Sequence, residues 1–298
     1  MSETYQVYRH SGKFGLSGIL LALAVAGAVG FPLGFVYAYA IKWIPFIYLN
    51  VLLTAGYGFV LGFVTAQVMK FSKARNVAIA ALCGLLGGGV GLYLAWNGHM
   101  HSVFKDAPVF WQPAALWAGV EQLYEQGSWS FRGNDNVTGI VLGIVWAVEA
   151  LIILGLSVMV PFGIVSSTPF CEQTQCWLDE EKKISTLEAF TDPAHLAAFQ
   201  AFDLAPLSQA KPRAAGSDTF ARLTLKHSPR CEQFCTVSVD NVTVTRNKDG
   251  NTSEKAVSLV SDLMLPKSML ALISKFEGFD QAKTEPPAEP PGEPATSA

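Results

Sequence analysis

The sequence predicts an α-helical polytopic membrane bundle of about four transmembrane helices, followed by a small cytosolic α+β domain and a disordered tail. Three observations carry this reading. Half of the 298 residues are hydrophobic and only 15% are charged, against roughly a quarter charged in soluble proteins. Charge is scarce up to about residue 165 and frequent after it. Four stretches each supply the roughly 20 apolar residues needed to cross about 30 Å of hydrocarbon at 1.5 Å per residue. The chain therefore divides into a bundle over 1–165, an α+β domain over 166–280 and a Pro/Glu-rich tail over 281–298. The formal net charge of -3 gives no basic excess, so nucleic acid is not an expected partner.

The first span is expected over about 16–41 and the second over 45–69, with only Lys42, Trp43 and Ile44 between them. Two helices so close must form a tight hairpin, and Pro45 suits its turn. The first stretch continues past Pro32 through Phe35, Tyr37 and Tyr39. A cleaved signal has an apolar region of only about 7–15 residues, so this one reads as a retained anchor. The third span covers about 77–96 and the fourth about 138–164, both free of Lys and Arg. Glycines and alanines recur every four residues, at Gly30/Gly34, Gly58/Gly62, Gly84/Gly88, Gly87/Gly91 and Gly139/Gly143/Ala147. Such stripes let helix backbones approach closely, which in lipid takes over from the hydrophobic drive.

Between the third and fourth spans, residues 113–126 read as an interfacial helix. Leu116, Trp117, Val120, Leu123 and Tyr124 share one side, Glu121, Gln122, Glu125 and Gln126 fall mostly on the other, and Gly127 ends it. Trp111, Trp117, Tyr124, Trp129 and Phe131 fit the aromatic preference for the headgroup layer. Beyond Ser166 a helix is expected over about 186–202, interrupted near Pro193, and strands over 220–226, 236–246 and 256–263. Asn247–Asn251 turns the last two strands into a hairpin, and Pro266 opens a short helix to about Phe276. From Gln281 the chain has almost nothing apolar to bury.

Orientation follows from Lys and Arg, which concentrate in short cytoplasmic loops. A cytoplasmic N-terminus places Arg9, Lys13, Lys70, Lys73, Arg75, Lys182 and Lys183 inside, and leaves Lys42, Lys105 and Arg132 outside. Four spans return the chain to the cytoplasm, so both termini are expected there, with the protein multi-pass in the inner membrane.

Two features could carry chemistry. Cys171-x4-Cys176 and Cys231-x3-Cys235 fall together in the soluble part. In a reducing cytosol four thiolates match tetrahedral zinc in a closed structural site. The gaps of four and three residues depart from the two-residue knuckle, so unrelated buried cysteines and a redox pair or disulfide stay open beside the metal. The second feature is Glu149, midway along the fourth span. An ionisable group there costs about 2.5–3.5 kcal/mol on insertion scales, and its default reading is a functional site that binds a proton or cation. The alternative is a protonated acid bonded to Asn50, Tyr57 or Gln67. His99 and His101 read as interfacial polar groups with a weak capacity for metal, Cys83 as a small packing residue. There is no phosphate loop, nucleotide fingerprint or hydrolase elbow, so the chain is not expected to be an enzyme.

Leu116-Trp117, Gly127-Ser128-Trp129-Ser130, Gly139, Trp146-Ala147-Val148-Glu149-Ala150 and Pro169-Phe170-Cys171-Glu172 together resemble a set of uncharacterised bacterial inner-membrane proteins. In that set a four-helix membrane bundle precedes a cytosolic paired-cysteine, zinc-ribbon-like domain. The resemblance covers about 110–240 and implies an architecture and a structural zinc, not an activity. The function expected is therefore a non-enzymatic membrane-anchored binding, scaffold or sensor module, with a protein partner on the cytosolic domain. The alternative is a small transporter or channel subunit that uses Glu149 and forms a homo-oligomer.

Overall fold

The computed structural model describes residues 5–44, 46–104, 108–127, 136–214, 216–247 and 251–270, together with Ile273, Lys275 and Phe276. Pro45, Lys105, Ser128–Arg132, Lys248–Gly250 and the tail from Gln281 lie outside the described residues. Two compact units form: one from His10–Ser167, the other from Thr168 onward joined by the segment that ends at Arg9.

In the first unit, α1 (Leu16–Trp43), α2 (Ile47–Phe71), α3 (Val77–Val103) and α5 (Gly139–Ser167) are each long and apolar enough to cross a membrane. The spacing correctly marks these four helices. It misplaces the end of the third, which runs to Val103 and so takes His99 and His101 into the helix. Local chemistry fixes the boundaries. The Asn76 carboxamide accepts from Ile79 N–H at 3.0 Å and caps α3. The amphipathic α4 (Pro113–Gln126) begins with proline in its first turn and stops at Gly127, whose φ of +80° suits glycine and whose N–H donates to Leu123 O at 2.8 Å.

Glycine contacts hold the helices together. A Cβ on Gly58 would lie 2.8 Å from Ile153 Cα, and one on Gly62 would lie 2.8 Å from Leu156 O, so α2 rests on the α5 backbone. A Cβ on Gly84 would lie 2.1 Å from Ser157 O, which brings α3 equally close to α5. The stripe expected at Gly139 and Ala147 makes no such contact: Gly139 faces open space and Ala147 is exposed. Spacing identifies a smooth strip on a helix, but a strip packs only where a neighbour passes. On α5 the neighbours pass over Leu142, Ile153, Ser157 and Pro161 instead.

The second unit is a five-stranded antiparallel sheet in the order β1-β7-β6-β5-β4, beside a two-stranded hairpin β2-β3. Its strands are β1 (Gln6–Val7), β2 (Phe170–Cys171), β3 (Cys176–Trp177), β4 (Glu180–Leu187), β5 (Thr219–His227), β6 (Phe234–Arg246) and β7 (Thr252–Pro266). Helices α6 (Pro193–Gln200) and α7 (Ala205–Ser208) pack Phe199 and Leu207 into a core with Leu187, Leu223, Val237 and Leu263.

Three expectations are corrected here. The helix expected over 186–202 is halved, because Thr186 and Leu187 close β4 and the helix starts only after Asp192, which caps it through Ala194 N–H at 2.8 Å. The charged run Glu180–Lys183 hides a strand at the sheet edge, where such residues stay solvated and discourage further pairing. Pro266 ends β7 rather than opening the helix directly: a 3-10 turn follows over Lys267–Met269, and Leu270, Ile273, Lys275 and Phe276 are then helical as expected. The first residues, expected in the bundle, instead add β1 to the sheet: Gln6 pairs with Met264 and Val7 with Leu263.

Candidate functional site

A half-open cavity of about 70 Å³ lies between α1, α3 and α5 of the helical bundle. Since one buried water needs about 10–15 Å³ of such space, the cavity is roomy enough for a few waters or a small ion. Residues spaced three or four apart on a helix share a face, and this places Trp146, Glu149 and Ile153 of α5 on one wall. Trp96 and His99 of α3 form the second wall, and Tyr37 and Ile41 of α1 the third.

Around the cavity the rings are tightly arranged. Trp96 and Trp146 meet edge to face with centroids 4.9 Å apart at 86°, and Trp96 meets His99 likewise at 5.6 Å and 88°. Tyr37 stacks on Tyr57 at 5.0 Å. The hydroxyl of Thr54 donates to Asn50 O at 2.8 Å, so its oxygen accepts from Tyr37 OH at 2.9 Å. Tyr57 OH donates to Gly91 O at 2.7 Å. In this part of the bundle His99 Nε2, in the cavity wall, and Asn50 Oδ1, on α2, have no hydrogen-bond partner among the described residues. Buried polar atoms are nearly always satisfied, so an orphan in a cavity wall points to a missing ligand or water.

The helix α4 closes over the same region. Its Leu116 and Leu123 form a buried cluster with Met100, against which Trp96 and Trp146 pack, and Tyr124 covers Gly143. The aromatic side expected for this helix is therefore engaged with the bundle, although Trp117 remains exposed with its Nε1–H donating to Glu121 Oε1 at 2.6 Å.

Two of the partners expected for Glu149 are engaged elsewhere. Gln67 is exposed and Tyr57 is committed to Gly91, while Tyr37 and His99 share the cavity with Glu149. The sequence carries a faint signal for this, because Trp96 and His99 repeat the spacing of Trp146 and Glu149. Nothing in the sequence reveals that the two helices turn these faces toward each other. His99 and His101 are separated: His101 Nδ1 is bonded to Tyr39 OH at 2.9 Å, and the ammonium of nearby Lys42 donates to Ser102 O. Cys83 is buried at 1% exposure, as a packing residue should be.

The four cysteines are divided by the sheet unit. Cys171 opens the β2-β3 hairpin opposite Cys176, its partner in register, and Cys231 lies in the β5-β6 turn. These three share a small cluster with Leu178 and Phe234, whereas Cys235 points into the main core of the sheet. Among the described residues no group of three or more His, Cys, Asp or Glu side chains is gathered to hold a metal ion. The reason is parity: Cys235 is already in strand β6, where alternation sends its side chain to the core face. Burial pushes the Cys235 thiol up to about 11. His227, a possible substitute ligand, lies 3.6 Å from Glu180 instead.

No protein-family model, no curated protein and no solved structure matches this chain. The resemblance drawn from the sequence thus gains no support from known proteins, and function rests on the cavity and the cysteine cluster themselves.

Proposed function

We propose that this chain is a non-enzymatic, multi-pass inner-membrane binding or sensor protein, with both termini cytoplasmic, whose bundle takes a proton-bearing water or a small cation at Glu149. The observation that carries this reading is the cavity in which one carboxylate, an orphaned imidazole nitrogen and three aromatic rings converge. Aromatic faces attract cations, and a carboxylate inside the hydrocarbon is costly unless something compensates its charge. Even helix parity agrees with the pairing of Gln6 and Met264, which joins segments before the first and after the fourth helix in one sheet.

The test uses the full-length protein in micelles, titrated with methylammonium chloride while tryptophan emission is followed. Trp96 and Trp146 line the cavity, so a saturable change is expected in the wild type and its loss in Glu149→Gln. Equal responses in both proteins would overturn the reading. A second reading, a transporter or channel subunit, is favoured by the hydrogen-bonded run Tyr37–Thr54–Asn50, which continues from the cavity wall onto α2. It requires methylammonium-driven flux across reconstituted vesicles that Glu149→Gln abolishes.

A further inference from the structure

The strongest feature outside the cavity is the burial of Cys171 and Cys231 in one small cluster. Both are 1% exposed, in a cluster closed by Leu178 and Phe234. The Cys231 thiol donates to Phe234 O at 3.4 Å, and the residue shares this cluster with Cys171. The two turns also repeat one another. Each reads Cys-Glu-Gln, at 171–173 and at 231–233, and each sulfur accepts from backbone amides two and three residues on: Gln173 and Thr174 in the first turn, Gln233 and Phe234 in the second. Amides aimed at a sulfur stabilise its anionic form. Cys176, half-buried and opposite Cys171 in the hairpin, is bonded to Thr174 Oγ1 at 3.1 Å and thus stands beside the pair.

We propose that Cys171 and Cys231 form a hydroperoxide-responsive dithiol that closes reversibly to a disulfide, locking the β2-β3 hairpin to the β5-β6 turn. Among the described residues no three side chains are arranged to hold a metal ion, whereas a disulfide needs only two sulfurs. Cys171 is the attacking group. Burial works to raise its pKa, but hydrogen bonds from the Thr174 hydroxyl and amide and from the Gln173 amide outweigh it and hold the thiol below its ordinary range. Burial raises Cys231, and that thiol keeps the proton it donates to Phe234 O.

The Cys171 thiolate attacks one peroxide oxygen, the O–O bond breaks, and the departing oxygen takes a proton to leave as water or an alcohol. The resulting sulfenic acid is then attacked by the Cys231 sulfur, which loses its proton; the S–O bond breaks and a second water leaves. Two thiols thereby give two electrons and two protons to the hydroperoxide. A low-molecular-weight thiol reverses the change by exchange. At 1% exposure the sulfurs are shielded from a protein disulfide as oxidant. The covalent link would reinforce contacts already present at the hairpin, the donation from Phe170 N–H to Tyr8 OH at 2.8 Å and the stacking of Tyr8 on Phe234.

The full-length protein in micelles, treated with hydrogen peroxide and then alkylated, tests this. Trypsin with a glutamate-specific protease cuts after Glu172 and Glu232 and so separates all four cysteines for mass spectrometry. The expected product links Cys171 to Cys231, disappears with dithiothreitol, and in Cys231→Ser gives way to a dimedone adduct on Cys171. If that variant does not fold, the wild-type map decides alone. Full alkylation of both residues after peroxide would overturn the proposal. So would a link made through Cys176 or Cys235, or zinc bound one to one whose removal is needed before any cysteine reacts.

Discussion

Replacing Gly84 by alanine perturbs the bundle at its tightest backbone contact. The new Cβ would stand 2.1 Å from Ser157 O and 2.8 Å from Pro161 Cγ, where ordinary contact begins at 3.4 Å. The shortfall against Ser157 O is about 1.3 Å, and neither obstacle is the far end of a flexible side chain, so α3 and α5 must separate. Overpacking a well-filled contact costs about 1–3 kcal/mol. The separation would also loosen Gly88 against the Ser157 side chain, which moves the expectation to the upper part of that range. Gly89→Ala is the matched control, because a Cβ there meets nothing within 4 Å and alanine favours the helix by up to about 1 kcal/mol. Thermal unfolding of both variants in the same micelles, read by circular dichroism, should show a lowered midpoint for Gly84→Ala and an unchanged or raised one for Gly89→Ala. Equal midpoints would refute the close α3–α5 approach and with it the geometry of the cavity walls.

Two further outcomes are expected in the sheet unit. Asn241 clamps the backbone of Phe190 from both sides, accepting from its N–H at 3.0 Å and donating to its C=O at 2.8 Å; Asn241→Ala strands both groups and should cost about 1–3 kcal/mol in denaturant unfolding, and an unchanged midpoint would contradict the clamp. The folded state keeps the Cys235 thiol protonated up to about pH 11 where the ordinary value is 9.0. The folded form thus holds its proton longer than the unfolded form, and this contribution is fully present below pH 9 and lost as pH rises toward 11. Melting midpoints should fall across that window in the wild type and less steeply in Cys235→Val; parallel profiles would refute the burial of this sulfur.

Much of the bundle was legible because length and apolarity suffice to mark a helix able to cross a membrane. The helix α4 was equally plain from its two-faced spacing, its proline start and its glycine stop. The sheet unit was harder to read. β4 begins with four charged residues, and they make a strand only because β5 offers a free edge. β1 has two residues and no pattern of its own, and exists because β7 is there to pair with it. Sequence also singled out Glu149 and the four cysteines, since a charge in an apolar run and clustered thiols are visible without coordinates.

What sequence could not supply was company. It did not name Tyr37 or His99 beside Glu149, and it treated the cysteines as a set of four. The tertiary structure turned Trp96 and His99 toward Glu149, left His99 Nε2 without a partner among the described residues, and gathered Cys171, Cys176 and Cys231 in one cluster while strand alternation carried Cys235 into the core. Residue type and period belong to one segment, so a single sequence determines them. Which face meets which depends on helix packing and strand register between segments far apart in the chain, and there the fold alone decides.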